Sequence, residues 1–556
     1  MTARWNGGKR ISARSAGARA FRAEKELDMN PELAVTELAE PYLRGLLTSA
    51  GLDVEYVRGE GNTLYRLDAK GQETPVLDYA GGYGSLIFGH NNPEIVARAR
   101  ELVDGGVPVH AQFSFHPYAN RLAAELNRII HRELGTDEPY YATFANSGAE
   151  AVEAAVKHAE LDRVLRVSET LEELAAGVER ARTAVDDGSA TVPDAVYAQL
   201  ATERPADDPL APVIDEITRR NGERAAQAPV FLALEGGFHG KLMGSVQLTH
   251  NEAYRAPFAA LGVRARFVPR GRPEALDEVL AQERGVLLGL TVEDGEVRVV
   301  EREHPVFCAF LLEPIQGEGG IQVLSDEDAR IIQEFADATD CPLIIDEIQS
   351  GLGRTGTLLA SSQTGLRGDY YTLAKSLGGG LAKASVMLVR QTRYRAQFEL
   401  VHSSTFAKDA FSCYLALKVL EMLERDGGRA YRQATERGAA LQATLEKVRT
   451  AFPDVAKDVR GRGLMLGFEF HDQSEAEHPA IREAAAGGLF GYVIAGHLLN
   501  RHSIRTFPTA SAVNTLRFEP SVLLTDEEIG RLEEALTDVC VILREQAGER
   551  LVLSSS

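Results

Sequence analysis

The chain has 556 residues, 44% hydrophobic and 25% charged, enough for two or more domains around a large buried core. A net charge of −21 argues against a general nucleic-acid binder, whose surface has to be basic, and against docking to anionic membranes. Cys308, Cys341, Cys413 and Cys540 lie far apart with no CxxC or Cys/His cluster, so neither a metal site nor a disulfide framework is indicated. Buried reduced thiols in a cytoplasmic protein fit that pattern. No apolar run approaches the roughly 18 residues needed to span a bilayer.

The first 25 residues carry Arg4, Lys9, Arg10, Arg14, Arg19, Arg22 and Lys25 but lack the apolar centre of a secretion signal. Residues 1–28 therefore read as a flexible basic arm, with a transit peptide as the alternative. Folded patterning begins near Pro31, with a helix-like stretch through Leu46. Residues 29–95 read as an N-terminal segment packing with a small domain. Within them, residues 75–90 read as a strand running into a glycine-rich loop. From about residue 94, helices alternate with short apolar strands, such as Val230–Leu234, Phe307–Leu312 and residues 342–345. Buried strands between helices predict an α/β domain with a mostly parallel central sheet, assigned to residues 96–400.

Residues 160–228 differ, being helical, polar and punctuated. Thr170-Leu-Glu-Glu173 is a capping-box candidate, and residues 186–189 and 204–209 read as turns. The stretch is expected to be a helical insertion. Residues 292–297 predict a hairpin with an Asp-Gly turn. After residue 400, helices and strands alternate again, with long helices near 410–450 and 525–545. Residues 401–556 are expected to form a smaller α/β C-terminal domain. No internal repeat is visible.

Four features carry chemistry. Asn146-Ser-Gly-Ala-Glu150 opens a strong helix former, and its free amides suit a phosphate, although a plain N-cap explains the residues as well. Glu313-Pro-Ile-Gln-Gly-Glu318-Gly-Gly follows an apolar strand and places two carboxylates at a glycine-rich exit; a structural loop is the alternative. Asp346 ends the run Leu343-Ile-Ile and needs a cationic partner there, either a protonated heterocycle or a structural arginine. Lys375 ends Tyr370-Tyr-Thr-Leu-Ala and precedes Gly378-Gly-Gly380. A desolvated lysine becomes a nucleophile toward aldehydes, whereas a lone lysine of this kind more often snorkels to the surface.

Together these residues resemble the class III aminotransferases, the ornithine and γ-aminobutyrate aminotransferase family of fold-type I pyridoxal 5'-phosphate (PLP) enzymes. The resemblance covers residues 40–545 apart from the insertion. Its strongest part is Ile345-Asp-Glu-Ile-Gln-Ser-Gly-Leu-Gly-Arg-Thr-Gly356 followed by Ala374-Lys-Ser-Leu-Gly-Gly-Gly380. Lys375 follows Asp346 by 29 positions and precedes Thr405 by 30, matching the family's spacing.

The resemblance implies a Schiff base between Lys375 and PLP, with the freed lysine amine later carrying the proton between substrate and cofactor carbons. Asp346 would pair with the pyridine nitrogen, and Gln349 would lie near the ring hydroxyl. Phe238 would stack on the ring, with His239 and Glu313 in the same cofactor shell. Ser147, Gly148 and Ala149 would serve the phosphate. Thr405 would reach the phosphate of a neighbouring subunit, which implies a homodimer with shared sites. Arg517 would grip a substrate carboxylate, and Glu318 would pair with Arg517 when an ω-amine is bound. Tyr83 would help to set substrate choice. Lys241 stands where the family often has an arginine for a distal carboxylate, so it keeps the charge without the planar fork.

The insertion departs from the family and reads as a surface elaboration or a lid. Residues 105–113 form another candidate wall, where His110 and Gln112 either touch substrate or pack. The expected activity is amino transfer between an amino acid or amine and a keto acid. The alternative is other PLP chemistry on the same fold: racemisation, decarboxylation, β/γ-replacement or carbon–carbon bond formation. A non-catalytic scaffold is disfavoured by the intact Asp346, Lys375, Thr405 and Arg517 set.

Overall fold

The structure, a computed structural model, describes residues 39–551 other than 111, 112, 116 and 273. The basic arm and Pro31 lie outside the described residues. Two compact units divide the chain, the first ending at Asp53 and the second beginning at Val54. In the first, the helix Pro41–Ser49 opens on a proline, whose missing N–H costs nothing at a helix start.

The second unit is built on a seven-stranded sheet. Its order is Tyr140–Ala145, Ser385–Arg390, Tyr370–Leu373, Leu343–Asp346, Phe307–Leu312, Val230–Leu234, Arg264–Val268. The pairs from Tyr370–Leu373 to Arg264–Val268 are parallel, and Ser385–Arg390 runs antiparallel to both of its neighbours. Every residue of Val230–Leu234 and Phe307–Leu312 is buried, because helices cover both faces. These strands therefore read as continuous apolar runs rather than alternating ones. In such a sheet, ligands bind beyond the C-terminal strand ends, and Asp346 and Lys375 lie there.

An antiparallel sheet follows, formed by Ala456–Arg462, Met465–Phe470, Thr515–Phe518 and Phe507–Pro508. A third sheet joins Tyr56–Glu60, Thr63–Leu67 and Glu73–Asp78 to Ile504–Arg505. The helix Ala410–Ala451 breaks at residues 425–428, where Asp426, Gly427 and Gly428 take positive φ. Cys308, Cys341, Cys413 and Cys540 are buried and unpaired. Among the described residues, no helix is long and apolar enough to cross a membrane.

The expected punctuation near Thr170 is absent. Gly148–Asp186 is one helix of 39 residues. Between Ala149 and Ala176 no glycine or proline interrupts it, so nothing stops propagation. The Thr170 hydroxyl donates back to the Arg166 carbonyl instead of capping a new helix. The capping box lies at the true start, between Ser147 and Glu150.

Two shorter helices, Asp194–Leu200 and Ala211–Ala225, fold back along this rod. The hairpin Val286–Glu293/Glu296–Glu303 completes the group. Its turn residues Asp294 and Gly295 both have positive φ, as a tight hairpin turn requires. Insertion and hairpin share one apolar core, including Ala181, Val196, Leu200, Val213, Ile217, Leu288, Leu290 and Val297. Asn221 seals it, donating to the Leu288 carbonyl and accepting from the Leu288 amide, both at 2.8 Å. At Gly177 an added Cβ would lie 2.6 Å from the Leu290 carbonyl oxygen. Gly177→Val should therefore lower stability in urea unfolding by about 1–3 kcal/mol. Gly222→Ala, where nothing lies within 4 Å, should be neutral or stabilising.

Candidate active site

A cavity of about 470 Å³ opens at the C-terminal strand ends. Its wall brings together Ser147, Gly148, Ala149, Phe238, His239, Glu313, Asp346, Gln349 and Lys375. Asp346 ends its strand in register with Thr372 and is only 4% exposed. One of its oxygens accepts from the Thr372 hydroxyl and the Ile348 amide, each at 3.2 Å. The other lies 2.9 Å from His239 Nδ1. A carboxylate only accepts, so that contact places a hydrogen on Nδ1. Nε2 of the same ring is buried without a hydrogen-bond partner.

Glu313 leaves the strand Phe307–Leu312 and accepts from the Phe238 amide at 2.9 Å and the Gly317 amide at 3.1 Å. It thereby holds the loop that presents Phe238 to the cavity. Burial pushes its pKa up to about 7; nearby His239 opposes the shift and Asp346 adds to it. Lys375 follows Tyr370–Leu373 and sits at φ 48, a left-handed conformation that costs an L-residue on the order of 1–2 kcal/mol. Burial lowers the pKa of its amine, against the opposing charges of Glu519 and Glu318. At the helix start, Glu150 accepts from the Asn146 amide at 2.7 Å. The Gly148 and Ala149 amides, in the first helical turn, have no intrahelical acceptor.

A second cluster adjoins this cavity. Arg517, in the strand Thr515–Phe518, is 1% exposed. Glu318 meets it in a two-point pair, with Nη1 to Oε1 at 2.7 Å and a shorter Nη2 to Oε2 contact. Burial opposes the Arg517 charge, but Glu318 outweighs it and holds the guanidinium pKa above its ordinary value. In turn, Arg517 holds the Glu318 carboxyl below the usual range in spite of burial. The Tyr83 ring lies 5.0 Å from the guanidinium carbon and stacks on Phe507 at 5.7 Å.

Two expected residues lie apart from the cavity wall. Lys241 is exposed, with Nζ 4.1 Å from the centre of the Tyr254 ring. Thr405 is an exposed turn residue beside Ser404, whose hydroxyl accepts from Asn146 Nδ2 at 2.8 Å. The His110 ring packs edge-on against Phe406 at 5.6 Å, and Gln112 lies outside the described residues.

Sequence reasoning missed two charges. Arg354, fully buried within the glycine-rich run, donates to the carbonyls of Leu464, Pro520 and Gly84, joining three segments. Glu519, also fully buried, accepts from Gln349 Nε2 at 2.7 Å and lies 4.0 Å from Arg517. The signal for Glu519 was its spacing. Residues i and i+2 share a face along an extended chain, so Glu519 accompanies Arg517.

A nucleophilic lysine, a carboxylate at a parallel-strand end and open helix-start amides around one cavity are the parts of a fold-type I PLP enzyme. They suit that cofactor: the amides fit its phosphate, Asp346 its ring nitrogen and Lys375 its aldehyde. The Aminotransferase class-III profile matches residues 48–539, and the chain belongs to that family. It is therefore a PLP-dependent transaminating enzyme. Solved structures agree in fold. The ornithine aminotransferase from Toxoplasma gondii is 21% identical, covering 97% of this chain and 100% of its own, with a TM-score of 0.63. An amine transaminase from an uncultivated Pseudomonas species is also 21% identical, covering 92% of this chain and 98% of its own, at 0.64. The N-acetylornithine aminotransferase from Stenotrophomonas maltophilia is 23% identical, covering 90% of this chain and 99% of its own, at 0.57.

Arg517→Ala leaves buried Glu519 and partly exposed Glu318 without their cation. Urea unfolding should record a loss of about 3–5 kcal/mol, partly recovered by adding Glu318→Ala.

Proposed function

We propose that this chain is a homodimeric aminotransferase in which Lys375 is the cofactor lysine. The convergence of Lys375, Asp346 and the Gly148–Ala149 helix start on one cavity carries the reading. Bound PLP supplies an aldehyde for the amino group and an electron-withdrawing ring.

The protein's own contributions follow from the geometry. The Lys375 amine is deprotonated more readily than a free lysine, so it can bond to the aldehyde. Freed from the cofactor, Lys375 Nζ would be the base that takes the proton from the substrate carbon. Asp346 would pair with the ring nitrogen and keep it protonated. His239 holds Asp346 in place, with Thr372 and the Ile348 amide as further clamps. Phe238, positioned through Glu313, would pack against the ring. Gln349 would lie near the ring hydroxyl, and the helix-start amides would hold the phosphate. Arg517 receives a carboxylate when Glu318 withdraws. Tyr83 bounds the substrate end, and Lys241 offers a single-point contact to a distal acid.

Support for the dimer comes from the surface. Phe113, Phe115, Leu400, Val401 and Phe406 are all more than 60% exposed. The His110 ring meets Phe406 edge-on. Exposed apolar side chains of this kind mark interaction sites, and Thr405 lies between Val401 and Phe406 in the sequence.

Borohydride should trap PLP covalently on the wild-type protein and not on Lys375→Ala; trapping by the alanine variant rejects the lysine assignment. With Lys375 depressed below 10.5, capture of PLP by apo-protein should be half-complete below that pH. It should fail as falling pH protonates the amine, which an absorbance titration records. Mixed Lys375→Ala and Thr405→Ala chains test the shared site. Each variant alone should be impaired, and the mixture should regain activity because one of its two sites contains both native residues. No recovery on mixing would place Thr405 in its own chain's site.

A further inference from the structure

Glu519 has no substrate role in the reading above, where it enters only as a charge near Lys375 and a partner of Gln349. Its side chain is 0% exposed, and its amide donates to the Tyr79 carbonyl at 2.7 Å. The backbone at Gly81 approaches so closely that an added Cβ would lie 2.0 Å from the Glu519 carbonyl oxygen. Oε1 accepts from Gln349 Nε2 at 2.7 Å, and Gln349 is itself confined by Gly317, where an added Cβ would lie 2.0 Å from Gln349 Oε1. Glu519 is thus fixed at both its backbone and its side chain. Oε2 is buried with no hydrogen-bond donor and faces Arg517 Nη1 across 4.0 Å.

Arg517 therefore has two carboxylates for one positive charge. They differ in freedom. Glu318 is partly exposed and follows Gly317 in a glycine-rich loop, where Gly320 has φ 99. It can leave. A buried carboxylate without a cation is costly, so Glu519 has reason to stay beside Arg517.

We propose that Glu519 is a specificity-determining positioning residue: a fixed second counter-ion that keeps Arg517 neutralised when Glu318 withdraws. The site then favours substrates whose reacting carbon bears no carboxylate, and α-amino acids enter only at high KM. This rests on the reading of Arg517 as the substrate arginine. At 4 Å in a buried setting, a carboxylate offsets much of what a guanidinium offers to a second carboxylate.

Propionate, a monocarboxylate that cannot react, probes the arginine directly by calorimetry on the holoenzyme. It should bind wild-type protein weakly and Glu519→Gln about tenfold more tightly. The donors 2-aminobutyrate and 1-aminopropane differ only by the α-carboxylate. Their kcat/KM ratio should move about tenfold toward 2-aminobutyrate in Glu519→Gln, through KM rather than kcat. Unchanged propionate affinity or an unchanged donor ratio overturns the proposal. Glu318→Gln gives a second test that leaves residue 519 untouched. Propionate affinity should rise less than about threefold, because Glu519 still neutralises Arg517; a tenfold rise in that variant overturns the proposal. Propionate binding does not require Lys375, so a failed lysine assignment appears in the borohydride experiment and a failed Glu519 assignment appears here.

Discussion

A carboxylate at the end of a strand buried on both faces has to be held where it stands. Asp346 meets that demand through His239, Thr372 and a backbone amide, and the neighbouring loops follow from it. Since Asp346 fixes the hydrogen on His239 Nδ1, the ring becomes a rigid strut. Glu313 then secures the turn containing Phe238 and His239 by accepting from Phe238 and Gly317. The cavity beside Lys375 is what remains when these groups have satisfied one another. The second cluster repeats the logic with the opposite sign: buried Arg517 is held by carboxylates, one partly exposed and one fully buried.

Much of this was legible in the sequence. Apolar strands in a helical context announced the parallel sheet. The positions of Asp346 and Lys375 after apolar strands announced the strand ends at which the cavity opens. What could not be read was pairing across distance. Glu313 looked like a second acid in a loop, and nothing local tied it to an amide 75 positions away. Arg354 was visible only as part of a motif, because the three carbonyls that it joins come from separate segments. Glu519 stood two places from Arg517, yet its burial depends on the Gly81 and Tyr79 backbone. Thr170 misled for the opposite reason: its local signal was sound, and an uninterrupted helix overrode it.

The insertion and the Asp-Gly hairpin were read as separate features about 60 residues apart. They form one body because neither can bury its apolar face alone. Leu288 and Leu290 have only one side of the hairpin to cover, and the helices around Val213 and Ile217 supply that cover. Asn221 closes what would otherwise be an open strand edge, a site that invites pairing with another chain.

The unbroken helix from Gly148 to Asp186 has a mechanical consequence. At 1.5 Å per residue, its 39 residues extend about 58 Å. Its first turn lies in the cofactor cavity, and Ala181, near its far end, is locked into the insertion core. A rod clamped at both ends transmits tilt rather than absorbing it. The insertion is therefore an extension of the same continuous element that opens at the cavity wall.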